Sequence, residues 1–388
     1  MSIIDNREDL IGEAMDSKPS LHKILFLVCI FNLYLKFSSG TTEIEEDYNS
    51  WVSWNVNNHR TKTIMRQNSG TTGNILDHKL MMAEINKTRI TVSQDGTGDF
   101  NTIKEALDSI PKHNTRRVIL NIKPGVYREK INITKDKPFV TFLGDSGSGN
   151  ELPTISWNDK KSSGGKTLNT ASVMINADYF VAINMKFANT AHYESGKKGE
   201  QAVAVRVSGN KAAFYNCSFY GHQDTLYDHK GLHYFKNCFI QGSVDFICGH
   251  GRSLYEKCEL HSTAEKVGYA TAQRRSKASM ISGFSFKDCL VTGSGSLYLG
   301  RAWGDYSRVV FSYTFMDKIV IPPGWEDDMG DGHSKNHSKI FYGEYKCTGP
   351  GSRSNVTGRV PWSRVLTDKE AKPFIGVHFV EGETWLSN

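Results

Sequence analysis

The chain has 388 residues, 38% hydrophobic and 23% charged, a size at which a large core is readily built and which suits one large or two ordinary domains. Its formal charge of +6 suits an acidic polymer as partner, but its Lys and Arg are dispersed and no helix-turn-helix, zinc-finger or RNA-binding motif occurs, which argues against nucleic acid. Seven cysteines include no CxxC pair, so neither a zinc site nor a thioredoxin-like motif is supported.

Residues 24–35 are an apolar run between Lys23 and Lys36, too short to span a bilayer comfortably and followed by Ser38, Ser39 and Gly40, which resemble a signal-peptidase site. Residues 1–40 are therefore expected to be a signal peptide, with a signal anchor as the alternative, and the acidic leader points to Met15 as the true start. Secretion is the consequence. Residues 41–87 are polar and irregular and read as a linker or surface-draped extension. Sequons at Asn86, Asn132, Asn336 and Asn355 agree with export and glycosylation, whereas the one at Asn216 is expected to be too buried for a glycan.

The folded domain is expected from residue 88. ITV (90–92) reads as a strand and FNTIKEALDSI (100–110) as an amphipathic helix, stopped by Pro111, that caps the open end of the β-rich body. Gly125, Tyr127 and Glu129 read as a structural turn, residues 146–169 as an excursion, and the tail after Trp362 as partly helical and packed along the body. Between them, short β-type runs recur with Gly, Asn or Asp turns. Cys217, Cys238 and Cys258, in YNCSF, KNCFI and EKCEL, lie 21 and 20 residues apart, the mark of a parallel β-helix with one coil per repeat. These cysteines are expected to stack inward.

Asp224 and Asp245 share that spacing, 21 residues apart. Strands about 4.8 Å apart bring two such carboxylates close enough to split their ionisation, one protonated and one charged, which is the pairing of an acid and a nucleophile. Gln201 lies one coil earlier, taken as 23 residues before Asp224, and Gln223 adds a second amide; neutral amides donate to a developing oxyanion without quenching the nucleophile. Arg301 and Trp303 alternate around Ala302 and share a strand face, where the guanidinium can hold one aspartate ionised and the indole can offer a flat surface to a sugar.

QAVAVR (201–206), GHQDTLY (221–227), GSVDFICG (242–249) and LGRAWG (299–304), with DGTGDFNTIKEAL and PGVYREK near the start, resemble the plant pectinesterases over about residues 89–385. The resemblance implies an all-β, single-stranded right-handed parallel β-helix over 88–388 that acts in the cell wall. It also implies demethylation of galacturonate methyl esters with release of methanol and with no cofactor or metal. Asp245 would be the nucleophile, Asp224 the general acid and then base, Gln201 and Gln223 the oxyanion hole, and Arg301 the partner of Asp245. Trp303, with Gln201 and Arg301, would bind substrate. The expected partners are methyl-esterified homogalacturonan and a proteinaceous pectinesterase inhibitor, and the expected state is a monomer. Cys248 and His250 depart from the usual DFIFGN, and only a short extension stands where many plant members carry a long inhibitor-like pro-region. Two rival readings are a catalytically silent pectin-binding wall protein and a polygalacturonase, the latter prompted by Gly249-His250-Gly251 but placing Asp327-Asp328 in the wrong order.

Overall fold

The computed structural model describes residues 77–146, 151–161, 165–326 and 336–386, so the expected signal segment, most of the extension and Asp327-Asp328 lie outside the described residues. The fold is a right-handed parallel β-helix, in which all pairings between the strands of successive coils are parallel. One flank is an eleven-stranded parallel sheet that begins with Thr88–Val92 and ends with Arg364–Val365. The other strands form two further faces, joined where the long strands Glu259–Gln273 and Leu290–Ala302 run from one face to the next across a register break between Thr263 and Val267.

The repeated Asn-Cys phrase has a backbone origin. Asn184, Asn216, Asn237, Lys257, Asp288, Tyr313 and Lys346 all sit at a corner in the left-handed region, with φ between 49° and 56°. Asn and Asp tolerate that conformation best among non-glycine residues, which accounts for four of the seven. The first six of these corner N–H groups bond one coil onward, as Asn216 to the Lys236 carbonyl and Asn237 to that of Glu256, both at 3.0 Å. The next residue then turns inward, so Cys217, Cys238 and Cys258 stack in the core as expected, and Cys289 extends the row. Beside it runs an aromatic column of Phe214, Phe235, Tyr255, Phe286 and Phe311, with successive centroids 4.5 to 4.8 Å apart and planes within 19° of parallel. Identical positions on consecutive coils are a strand spacing apart, so like residues stack by geometry alone.

The capping helix is Ile103–Ser109, with Ile103, Ala106, Leu107 and Ile110 in the core. It starts later than the sequence pattern suggests because Phe100 pairs with Val92, and Thr102 caps it. Glu129 accepts from the backbone N–H groups of Ile103 and Lys104, so the PGVYREK turn serves to fasten that helix. Two expectations change. Residues 78–85, placed in the extension, form a helix that buries Leu80, Met81, Ala83 and Glu84, the last in an ion pair with Arg117 at 2.8 Å. The excursion at 146–169 contains a strand, Thr154–Trp157, that belongs to the helix proper. The tail is partly helical, at Asp368–Ala371 and Val377–Val380, and packs along the coils through Ser285 and Arg252.

One buried polar knot braces the coil that carries Asp224. Asp228 accepts from the Tyr255 hydroxyl at 2.7 Å and meets His233 Nδ1 at 2.5 Å, while His233 Nε2 donates to the Gly209 carbonyl at 2.9 Å. All three side chains are fully buried. Asp228→Ala strands a ring nitrogen and a hydroxyl without a partner, and is expected to cost about 3–5 kcal/mol of stability in urea denaturation.

Candidate active site

Asp224 and Asp245 occupy corners of adjacent coils, each in the left-handed region, with φ of 61° and 50°. The strands Leu226–Asp228 and Val244–Gly249 follow or contain them, and pairing of Gln223 with Val244 and Leu226 with Ile247 sets the two aspartates side by side. The conformation is the one the other corners adopt, and Asp tolerates it, so the corner geometry serves to turn both carboxylates the same way on neighbouring coils. Gln201 is placed differently from the sequence reading. It pairs with Gln223, 22 residues on, and not with Asp224. The two glutamines are therefore neighbours on adjacent coils, with Gln223 directly before Asp224. Gln201 Oε1 is buried with no partner among the described residues, so that side chain is not spent on the scaffold.

Arg301 reaches Asp245 from two coils further along. Its Nε donates to Oδ1 at 2.9 Å and its Nη2 to Oδ2 at 2.6 Å, a two-pronged grip that fixes the carboxylate plane. The guanidinium also lies 4.3 Å from the Tyr269 ring centroid, and Tyr269 stacks on Tyr298 at 5.2 Å. Burial lifts both carboxyls above the ordinary aspartate value. Asp245 is pulled back by the Arg301 hydrogen bonds and charge, whereas Asp224 carries the added repulsion of Asp245 and is raised well above that value. The proton of the pair therefore resides on Asp224.

Beside this pair the outward side chains Ala171, Val203, Tyr227, Cys248 and Ala272 form an apolar floor, with Trp303 packed on it. Tyr227, Cys248 and Ala272 stand in one register row, so Cys248 lies in the floor of the groove. Burial, then the charges of Asp224 and Asp245, push its thiol well above the usual range, so it stays a neutral small side chain. Sequence reasoning missed Tyr227, legible from its alternation with the inward Leu226, and Tyr193, which stacks on His222 at 4.9 Å from a loop with no periodicity to betray it. Among the described residues no group of His, Cys, Asp or Glu is placed to hold a metal ion.

A family model described as Pectinesterase matches residues 89–383. The chain belongs to the pectinesterase family. It is 45% identical to Pectinesterase QRT1 of Arabidopsis thaliana over 303 residues, 76% of this chain and 78% of that protein. It is 38% identical to Probable pectinesterase 50 of the same plant, over 95% of this chain and 97% of that one. Among solved structures, a pectin methylesterase from carrot superimposes with a TM-score of 0.70 at 33% identity, covering 76% of this chain and 94% of that one. A pectin methylesterase in complex with a hexasaccharide matches with a TM-score of 0.61 at 25% identity, over 77% and 98% of the two chains. Membership makes the protein a carboxylic ester hydrolase of the pectinesterase type, and its paired aspartates lie within the matched residues.

Proposed function

We propose that the protein demethylates galacturonate methyl esters of pectin in the cell wall through covalent catalysis by Asp245. The observation that carries this reading is the asymmetry of the carboxylate pair: Arg301 grips both oxygens of Asp245, while burial and the charge of Asp245 raise Asp224. An Asp245 oxygen attacks the ester carbonyl carbon, and the oxyanion accepts hydrogen bonds from the Gln201 and Gln223 amides. Collapse breaks the C–O bond to the methoxy group, and Asp224 passes its proton to the departing oxygen as methanol. A mixed anhydride on Asp245 remains. Asp224, now a carboxylate, takes a proton from water, whose oxygen adds to the galacturonoyl carbon. The second collapse releases Asp245 and a free galacturonate. Trp303 is proposed to line the substrate groove.

Methanol release by purified protein from methylated pectin tests this reading. Binding without methanol would identify a silent wall protein, and new reducing ends a polygalacturonase. Secretion through the 1–40 segment is part of the proposal. Asn86, Asn132, Asn336 and Asn355 are exposed, whereas Asn216 is half-buried with its amide bonded to Asn184 at 2.7 Å. Glycopeptide mass spectrometry of plant-secreted protein is therefore expected to find glycans confined to the first four and none at Asn216.

A further inference from the structure

One row of outward side chains beside the groove is unused by the esterase chemistry. Asp228, Gly249, Gln273 and Ala302 are register partners on successive coils, so the residues immediately after them stand in line: His229, His250, Arg274 and Trp303. The backbone keeps that line, with His250 N–H on the His229 carbonyl at 3.2 Å and Arg274 N–H on the Gly249 carbonyl at 2.6 Å. Three side-chain contacts run along it. Ser208 Oγ meets His229 Nδ1 at 2.9 Å, the two imidazoles sit edge to face at 5.1 Å, and the exposed Arg274 lies 4.5 Å from the centroid of Trp303.

The charge around this row is one-sided. His229 faces Tyr227, His250, Lys230, Arg206 and Asp228; His250 faces His229, Arg274, Lys230 and Asp228. Asp228, the one anion among these, is committed to His233 and Tyr255 inside the coil. Arg206 is largely spent on the Leu168 carbonyl and Asn176. Lys230 and Arg274 are exposed, Arg274 sharing its guanidinium between the Tyr227 hydroxyl and the Trp303 ring, which leaves cationic donors facing solvent next to an indole.

We propose that the His229–His250–Arg274 row is a carboxylate-binding subsite that takes an already unesterified galacturonate unit of the pectin chain, with Trp303 under a neighbouring sugar. His250 lies five residues on from Asp245, roughly 16 Å at about 3.3 Å per step, so a unit other than the reacting one reaches the row. The inference rests on the pectin-demethylating reading and adds to it a set of residues that would hold a free carboxylate. Burial, then the neighbouring His250 and Lys230, hold His229 down to about 4, and burial with Arg274 lowers His250. Both rings are therefore neutral near pH 7 in the free protein. A bound carboxylate raises them, so binding takes up protons, strengthens as pH falls and is lost as pH rises through the bound-state values.

Calorimetric binding of an unesterified oligogalacturonate, and of its fully methyl-esterified counterpart, tests this at about pH 5 and about pH 7.5. The unmodified protein is expected to bind the unesterified oligomer about tenfold more tightly at the lower pH, and Arg274→Gln to weaken that binding about tenfold at both. The double variant His229→Asn/His250→Asn is expected to abolish the pH dependence. Equal binding of the unesterified oligomer by all three proteins overturns the subsite. Equal weakening of the two oligomers in Arg274→Gln also overturns it, by assigning the row to sugar stacking. Methanol release is read in parallel: its absence from the unmodified protein, with pH-dependent binding intact, contradicts the hydrolase reading and still supports the subsite.

Discussion

Asp245→Ala is expected to lower kcat for methanol release by roughly 10⁴-fold or more, the scale on which loss of a covalent nucleophile is felt. Arg301 grips both oxygens of Asp245, so the substitution removes the attacking atom and leaves a cation in the groove. Asp245→Asn separates the two consequences. The amide still fills the corner and still accepts from Arg301 through its one oxygen, yet it cannot attack, and its kcat is expected to fall as far as that of the alanine variant. KM should move little in either, since the apolar floor of Tyr227, Cys248 and Trp303 is intact. Methanol assays on both variants, with thermal melting as a check on folding, decide the matter.

Asp224→Asn is expected to lower kcat about 10²- to 10⁴-fold, the usual contribution of a positioned general acid and base. The same substitution should stabilise the fold at neutral pH. Asp224 is raised well above the ordinary carboxylate value, first by burial and then by Asp245. A group raised in this way binds its proton more tightly in the folded state. Its stabilising contribution is complete below the unfolded value and is lost as pH rises through the folded one. Asparagine has no proton to lose, so Asp224→Asn should melt higher than the unmodified protein near pH 7, with the difference closing toward about pH 4. In the unmodified protein the same ionisation is expected to set the alkaline limb of the activity profile, and protonation of Asp245 the acid limb. A variant that is both slower and more stable is the signature of a site that holds two carboxylates together at the expense of the fold.

How far the sequence reveals this site depends on how constant the coil length is. Asp224 and Asp245 are joined by one uninterrupted coil, so their 21-residue interval reads directly as adjacency. Arg301 is legible for another reason, its alternation with Trp303 around the inward Ala302. Gln201 is read one residue out of register, because only the bridge to Gln223 shows that its coil has 22 residues. Cys289 is lost from the cysteine repeat in the same way: the loop after Gln273 stretches its interval from Cys258 to 31 residues, although the side chain continues the stack. The helix His78–Ile85 is hidden by its brevity, since its core contribution is Leu80, Met81 and Ala83 and its buried Glu84 looks like a surface residue until Arg117 is beside it. Side chains brought in by loops, such as Tyr193, leave no periodic trace.

The claim that Asp245 forms a covalent link to the galacturonoyl group can be tested by intercepting that link. During turnover of a methylated oligogalacturonate, a rapid quench into hydroxylamine converts a mixed anhydride into a hydroxamic acid and a carboxylic acid. Mass spectrometry then finds the hydroxamate on the peptide containing Asp245 or on the sugar. The account predicts hydroxamate in an amount that tracks active enzyme and vanishes in Asp245→Ala. Hydroxamate no higher in the unmodified protein than in that variant, while methanol is being released, would contradict it and leave water as the direct attacking group.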